Sequence, residues 1–466
     1  MTSATQAKTI AELRADNYQV IPVREEMRNN LIAQIRAEQI VFPGIIGFDE
    51  TVIPQLENAI LAGQDVILLG ERGQAKSRII RSLVNLLDEA IPKIAGCEIN
   101  DNPYKPICRV CRDKVAEQGD ETEIEWLFRE DRYSEKLATP DISIADLIGE
   151  IDPIKVAEGH YLSDELVIHY GLIPRTNRGI FCINELPDLA ERIQVGMFNL
   201  MEERDVQIKG YRIRLPLDVY VVSTANPEDY TNRGRIVTPL KDRYGSQIHT
   251  HYPKKIEDEI AIMEQERTRF PDEENLVVPN YIKEILAEIT IQARQSSEIN
   301  QRSGVSVRVS ISNYETLLGN ALRRAIRHGD TWTCPRTSDL SYIVASFAGK
   351  IELETFEEGR ESRVTDDLTR RAVLRIFDGY FDVNDLETVV TAFDLGQTAE
   401  TGNEKLASEY PALIAQVDGL AAAVKHLTDD QRPEVLASAV EFVLEGLHLN
   451  RRLNCERTPA GSLYRR

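Results

Sequence analysis

The run Asp65-Val-Ile-Leu-Leu-Gly-Glu-Arg-Gly-Gln-Ala-Lys-Ser77 decides how the chain folds. Val66 to Leu69 read as a strand buried on both faces. A glycine-rich turn interrupts it, and Ile79, Ile80, Leu83, Leu86 and Leu87 follow at helical spacing. Strand, turn and helix with Lys-Ser at its head form a phosphate loop. The backbone of Gly70, Glu71, Arg72, Gly73, Gln74 and Ala75 can wrap a β-phosphate, Lys76 reaches the β and γ oxygens, and the Ser77 hydroxyl ligates Mg²⁺. Ala75 stands where the motif has Gly before the Lys. Alanine tolerates a positive φ poorly, so the turn either uses a negative φ here or carries strain. A tight strand-to-helix connection explains the glycines but leaves the Lys-Ser pair without a reason.

Composition sets the class. At 466 residues the chain is long enough for two or three domains, each with its own core. Against 76 Asp and Glu there are 55 Lys and Arg, a formal net charge of -21. That balance argues against a tracker of duplex DNA, which presents a basic face. The N-terminus has no apolar signal core and no stretch approaches a membrane span, so a cytoplasmic location is expected. Six cysteines in so long a chain are too few for a disulfide scaffold.

Two further apolar runs deliver polar residues to their ends. Gly179-Ile-Phe-Cys-Ile-Asn-Glu185 has the form of a Walker B strand, with Glu185 as the base that orients and activates water. The usual Asp of that motif is Asn184, whose amide oxygen accepts from Mg²⁺-bound water but lacks a carboxylate's charge. Val219-Tyr-Val-Val-Ser-Thr-Ala-Asn226 is the other run, and it brings Asn226 between the two Walker strands. Arg243, in Pro239-Leu-Lys-Asp-Arg-Tyr-Gly245, precedes a short strand at Gln247 and is suited to reach a neighbouring subunit's nucleotide. Arg308 opens a helix carrying Leu317, Leu318, Leu322 and Ile326, from which it can close over phosphates. His249 and His251 alternate on one strand face, and Ile45, Ile46 and Gly47 offer an apolar seat for an adenine ring.

The remaining segments are organised around these motifs. Residues 1–38 read as an N-terminal helical extension and 39–255 as the nucleotide-binding domain. Residues 256–380 read as a helical linker and lid, and 381–466 as a C-terminal helical region with a linker at Gly396 to Glu404. Its closing helix carries Leu436, Val440, Val443, Leu444 and Leu447 on one stripe, which suits lid packing or, second, a partner. An insertion at about 92–132 carries Cys97, Cys108 and Cys111, followed by acidic residues read as helical. Cys-x-x-Cys supplies two thiolates of a tetrahedral zinc site and Cys97 a third, but no second knuckle or local His gives a fourth. Reduced thiols at a loop edge are therefore the plainer expectation. A finger at about 154–169 reads as a hairpin or loop interrupting a helix, placed to touch a substrate.

Phosphate loop, strand with Glu185, strand with Asn226, Arg243 before the last strand and Arg308 on a helix stand in one order. Together they resemble an AAA+ ATPase. Gly70-Glu-Arg-Gly-Gln-Ala-Lys-Ser77 is similar to the Walker A of the MoxR group, which also puts Ala before the Lys. Asn177-Arg-Gly179, Asn226-Pro-Glu228, Leu240-Lys-Asp-Arg-Tyr-Gly245 and Ser306-Val-Arg308 resemble the ATPase (I) subunit of magnesium chelatase. The resemblance spans roughly residues 40 to 330. It implies a three-layer α/β domain with a parallel five-stranded sheet in the order 5-1-4-3-2, followed by an α-helical lid and C-terminal helices. It also implies ATP and Mg²⁺ as cofactors, a homo-oligomeric ring, commonly a hexamer, and a protein partner with a von Willebrand factor A domain. By the same resemblance Asn226 is sensor 1, Arg243 an arginine finger acting in trans, Arg308 sensor 2, and the finger at 154–169 the clade's helix-2 insert.

Three functions fit this reading: a motor remodelling or activating a protein partner, an ATP-gated assembly scaffold with weak hydrolysis, suggested by Asn184, and the ATPase subunit of a metal chelatase. A sigma-54-type activator fits less well, since the chain lacks a Gly-Ala-Phe-Thr-Gly-Ala loop.

Overall fold

The computed structural model of the chain describes residues 7–152, 165–207, 214–226, 235–271, 273–301, 303–354, 359–458 and 461–466. Two compact units divide it, Met1–His251 and Tyr252–Arg466. Among the described residues no helix is long and apolar enough to cross a membrane.

Five parallel strands carry the first unit: β1 (Val66–Leu69), β2 (Tyr133–Leu137), β3 (Gly179–Asn184), β4 (Val219–Ala225) and β5 (Ser246–His249). Their spatial order is β5-β1-β4-β3-β2, the order 5-1-4-3-2. Every residue of β1, β3 and β4 is buried, which is why all three are continuous apolar runs in the sequence. Alternation along the strands feeds two separate cores. Ile67, Phe181, Ile183 and Val221 face one of them, together with Ile193, Leu200 and Leu240 from helices. Val66, Leu68, Ile180 and Val222 face the other, with Leu56, Ile79, Ile80 and Leu83. Helices on both faces of a parallel sheet make the three-layer α/β P-loop architecture of AAA+ proteins.

Gly179 begins β3 where a Cβ would stand 2.0 Å from the Arg132 carbonyl oxygen, so only glycine lets the strand start there. Arg132 is itself buried in a two-bond ion pair with Glu26, both contacts at 2.6 Å, and its Nε donates to the Arg178 carbonyl at 2.9 Å.

The insertion is an antiparallel hairpin, Ala90–Ile94 against Ile124–Phe128, with a helix Arg109–Gln118 between its strands. Residues 124–128 are thus strand and not helix. Ile-Glu-Trp-Leu-Phe is β-branched and aromatic, and that preference outweighs the acidic neighbourhood. Gly149–Ile151 pairs antiparallel with Ile168–Tyr170, and of the finger read at 154–169 the residues up to 164 lie outside the described ones.

The second unit is mainly helical. Helices Asn280–Ala293, Arg308–His328, Arg360–Tyr380 and Pro433–Leu449 share one core. Leu436, Val440, Val443, Leu444 and Leu447 are all buried in it, so the stripe serves packing. The segment read as a linker instead contributes Ala399–Thr401 to a three-stranded antiparallel sheet with Gly461–Arg465 and Asn454–Thr458. These strands are short and polar and are held from below. Tyr464 donates its hydroxyl to Glu445 at 2.6 Å, and Arg457 pairs with the same carboxylate at 2.7 Å.

Candidate nucleotide-binding site

At the carboxyl end of β1 the chain turns at Gly70, where a Cβ would meet Thr250 Oγ1 at 2.0 Å and Gln74 Oε1 at 2.3 Å. Gln74 folds back into the loop and accepts from the Glu71 N–H at 3.1 Å and the Thr250 hydroxyl at 2.7 Å. The loop is thereby braced by β5's continuation as well as by its own backbone. Gly73 and Ala75 both take positive φ, 75° and 54°. Of the two outcomes open for Ala75, the structure takes the strained one, with a left-handed alanine where the motif has glycine.

Lys76 is buried at the head of the helix Lys76–Ser82. Its Nζ donates to the Glu71 carbonyl at 2.8 Å, to Asn226 Oδ1 at 2.6 Å, and to the Gly70 carbonyl. Asn226, one residue past β4, donates from its Nδ2 to Glu185 Oε2 at 2.6 Å. Three residues from three separate strand ends, expected at one site from their motifs alone, therefore form one chain of hydrogen bonds. Ser77 is exposed beside them.

Glu185 has φ 56° and ψ 49°, a left-handed residue where β3 ends. Its N–H donates to Thr224 Oγ1 at 3.0 Å, and the Thr224 hydroxyl lies 3.3 Å from Asn184 Oδ1. A non-glycine residue held left-handed at such a position costs on the order of 1–3 kcal/mol, which neighbouring contacts must offset.

Asn184 is aligned with Leu137 of β2, and its Nδ2 donates to Glu135 Oε1. Glu135 also accepts two bonds from Arg81, at 2.9 and 3.1 Å, and the Tyr133 hydroxyl at 2.9 Å. Hydrogen bonding to the Arg81 guanidinium, with help from Tyr133 and Asn184, holds the Glu135 carboxyl below its ordinary range against the opposing pull of burial. A carboxylate that stays ionised thus sits against the residue that lacks one. Sequence reading missed Glu135, because β2 is an edge strand whose Tyr-Ser-Glu-Lys-Leu has no apolar run to announce it.

Arg243 ends the helix Thr238–Arg243 and is tied within its own unit. It pairs with Glu202 through Nε at 3.0 Å, donates to the Pro239 carbonyl at 2.7 Å, and lies 4.7 Å from the Phe198 ring centroid. Arg308 belongs to the second unit, exposed at the first position of its helix. His251 lies with Nε2 2.7 Å from the Thr51 hydroxyl and its ring edge-on to Phe48, while Ile45 belongs to the hydrophobic core.

The cysteines differ from expectation. Cys97, Cys108 and Cys111 are buried rather than lying at a loop edge, and a fourth donor, Asp101, joins them. All four donor atoms lie within 4.8 Å of one another.

Magnesium-chelatase subunit ChlI from Nostoc sp. is 29% identical to this chain over 242 residues, covering 49% of this chain and 59% of that protein. A ChlI homolog from Methanocaldococcus jannaschii is 25% identical over 232 residues, covering 48% of this chain and 58% of that one. Over about half its length the chain is similar to magnesium-chelatase I subunits. It spans less than two thirds of the length of these two relatives. No protein-family model matches it. Among solved structures, a complex of magnesium-chelatase subunits BchI and BchD aligns with 70% of this chain and 98% of the matched chain, at 18% identity and a TM-score of 0.36. The AAA+ architecture is carried by the strand order and by the motif residues gathered at the strand ends.

Proposed function

We propose that the first unit binds ATP with Mg²⁺ and hydrolyses it, as the motor of a ring that remodels or activates a protein partner. The observation that carries this is the hydrogen-bonded chain Lys76–Asn226–Glu185, which supports one site built from a phosphate-binding cation, a positioning amide and a base. Gly70 to Ser77 hold the phosphates, and the Ser77 hydroxyl and Asn184 face the metal. Mg²⁺ held there would neutralise charge on the transferred phosphoryl group. Glu185 takes a proton from the attacking water, and Asn226 fixes where that carboxylate points. Glu135 supplies, from the neighbouring strand, the negative charge that Asn184 lacks.

Arg243 acts in trans on the next subunit's nucleotide once released from Glu202, and Arg308 acts as sensor 2. A hexameric, cytoplasmic ring and a partner with a von Willebrand factor A domain complete the reading. Service as the ATPase subunit of a metal chelatase is the alternative if companion chelatase subunits accompany this chain.

The test is phosphate release by the purified chain with ATP and Mg²⁺, beside Glu185→Gln, with light scattering in the presence and absence of ATP. Loss of the base lowers turnover on the order of 10²- to 10⁴-fold. Equal, negligible turnover in both proteins together with ATP-dependent assembly overturns the motor in favour of the scaffold that Asn184 suggests.

A further inference from the structure

We propose that Cys97, Asp101, Cys108 and Cys111 form a closed structural zinc site that locks the insertion hairpin onto the approach to β3. The site does not depend on the nucleotide reading.

The sequence brings the four donors together by simple means. Cys97 follows the first hairpin strand after a turn, with the Cys97 N–H donating to the Ile94 carbonyl at 3.1 Å. Asp101 comes four residues later. Cys108 caps the helix Arg109–Gln118, and Cys111 stands in its first turn. Exposure is 6% for Cys97, 0% for Asp101, 4% for Cys108 and 1% for Cys111. Burying three thiols side by side is unremarkable for cysteine, but burying a carboxylate with them is costly unless something pairs with it.

Asp101 is the observation that points to a ligand. Its Oδ2 accepts from the Cys108 N–H at 3.0 Å, while Oδ1 is buried with no hydrogen-bond partner. One carboxylate oxygen of Asp101 belongs to the group of four donor atoms lying within 4.8 Å of one another. A tetrahedral ion with metal–sulfur bonds of about 2.3 Å sets its ligands about 3.8 Å apart, so the spacing suits a single ion. An iron–sulfur cluster, with several metals between its thiolates, needs a wider frame. Three thiolates and one carboxylate close enough for one four-coordinate ion select zinc among the common ions. With all four positions taken by protein and no opening to solvent, the site is structural and not catalytic.

Outer contacts already orient the ligands. The Asp101 N–H points at Cys97 Sγ at 3.3 Å, and the Cys111 N–H at Cys108 Sγ at 3.4 Å, the backbone-to-sulfur bonds that stabilise bound thiolates. The loop between Cys97 and Asp101 grips the turn before β3. Asn177 Nδ2 donates to the Ile99 carbonyl at 3.0 Å, and Asn100 Nδ2 to the Arg175 carbonyl at 2.8 Å. Past the knuckle, Glu165 at the finger's base accepts from the Arg109 N–H at 2.8 Å and from Arg112 at 2.9 Å. An ion at this point ties insertion, finger base and Walker B approach together.

The test uses the full chain purified without chelator and its zinc content measured by elemental analysis. About one zinc per chain is expected, released when a mercurial titrates three thiols. Cys108→Ser and Cys111→Ser drop to background, while Cys455→Ser, outside the group, retains the metal. Cobalt exchanged into the wild-type chain gives thiolate charge-transfer absorption, a readout that survives if a variant folds poorly. Asp101→Ala weakens zinc at least tenfold against a chromophoric chelator. Wild-type chain with no more zinc than Cys108→Ser and no cobalt charge-transfer band overturns the site. Unchanged affinity in Asp101→Ala overturns the four-ligand assignment.

Discussion

Asn226 donates from Nδ2 to Glu185 Oε2 at 2.6 Å. On its other side the same amide accepts from Lys76 at 2.6 Å. Cation on the oxygen and carboxylate on the nitrogen leave the amide one orientation, since the flipped form sets like polarity against both neighbours. Asn226 therefore fixes the geometry between the two side chains proposed as phosphate-binding cation and base. Asn226→Ala is expected to lower turnover on the order of 10²-fold while ATP affinity changes less than about threefold. Phosphate release and fluorescent-nucleotide titration check this. Loss concentrated in affinity instead assigns Asn226 to holding Lys76.

The contact between Asn184 and Glu135 predicts an unusual response to restoring the standard residue. Asn184→Asp alone places two carboxylates within hydrogen-bond reach, and like charges so close cannot both ionise freely. Turnover should stay flat or fall. Asn184→Asp combined with Glu135→Gln returns the charge to one residue and should recover it. Glu135→Gln alone should raise the Mg²⁺ concentration needed for half-maximal turnover. A gain in Asn184→Asp by itself removes Glu135 from the metal side of the site.

Glu135 also carries a pH signature. Arg81 keeps its folded-state carboxyl below the unfolded value of about 4.3, so the stabilisation is complete above that value and is lost as pH falls through the lowered one. Melting temperature measured from pH 7 down to pH 3 should fall less steeply at its acid end in Glu135→Gln. Parallel curves for the two proteins contradict this account of the Arg81 contact.

At Ala75 the φ of 54° forces an L-residue into the left-handed region at a cost of roughly 1–2 kcal/mol. Glycine removes that strain but gives the unfolded chain more freedom, worth about 0.4–1 kcal/mol. The net expectation for Ala75→Gly is a gain of up to about 1.5 kcal/mol in urea denaturation. Ala75→Val, β-branched at the same φ, should lose more than either.

The pair Glu26 and Arg132 is 3% and 1% exposed. Removing Glu26 leaves the guanidinium buried and unpaired beneath the start of β3, which is costly in a way that losing a surface pair is not. Glu26→Ala should destabilise by about 3–5 kcal/mol in denaturant, and replacing both residues by methionine should cost much less. Equal losses in the two variants contradict the unpaired-charge explanation.

What the sequence disclosed follows burial. β1, β3 and β4 are covered on both faces, so their apolar runs are unbroken and their polar ends stand out, which is how Lys76, Glu185 and Asn226 were found. β2 is half-exposed at the sheet edge, so its polar sequence hides a strand and with it Glu135. Asp101 was hidden for a different reason. Cysteine pairs have a recognisable spacing, whereas a carboxylate ligand has none and becomes visible only when the buried carboxyl is seen beside the thiols. The small sheet of the second unit escaped because its strands Asn-Cys-Glu-Arg-Thr and Gly-Ser-Leu-Tyr-Arg hold their place through Arg457 and Tyr464 on Glu445 of the preceding helix and not through any apolar alternation.

Arg243 gives the prediction that decides between a motor assembled from several subunits and a self-sufficient enzyme. Within its own unit the guanidinium is occupied by Glu202 and packs on Phe198, so a role at a nucleotide requires a neighbour's site and release from Glu202. Arg243→Ala and Glu185→Gln should each lack turnover. Mixed before assembly, they form interfaces in which an intact Glu185 from the first variant faces an intact Arg243 from the second, and those interfaces are complete. Turnover should then reappear, up to roughly a quarter of wild type for equal mixing, since an arginine finger is worth about 10³–10⁵ in rate. Glu202→Gln, which frees Arg243, should retain or raise turnover and sharpen its dependence on protein concentration. Mixtures as inactive as their components show that Arg243 does not act across subunits, and its pairing with Glu202 is then structural.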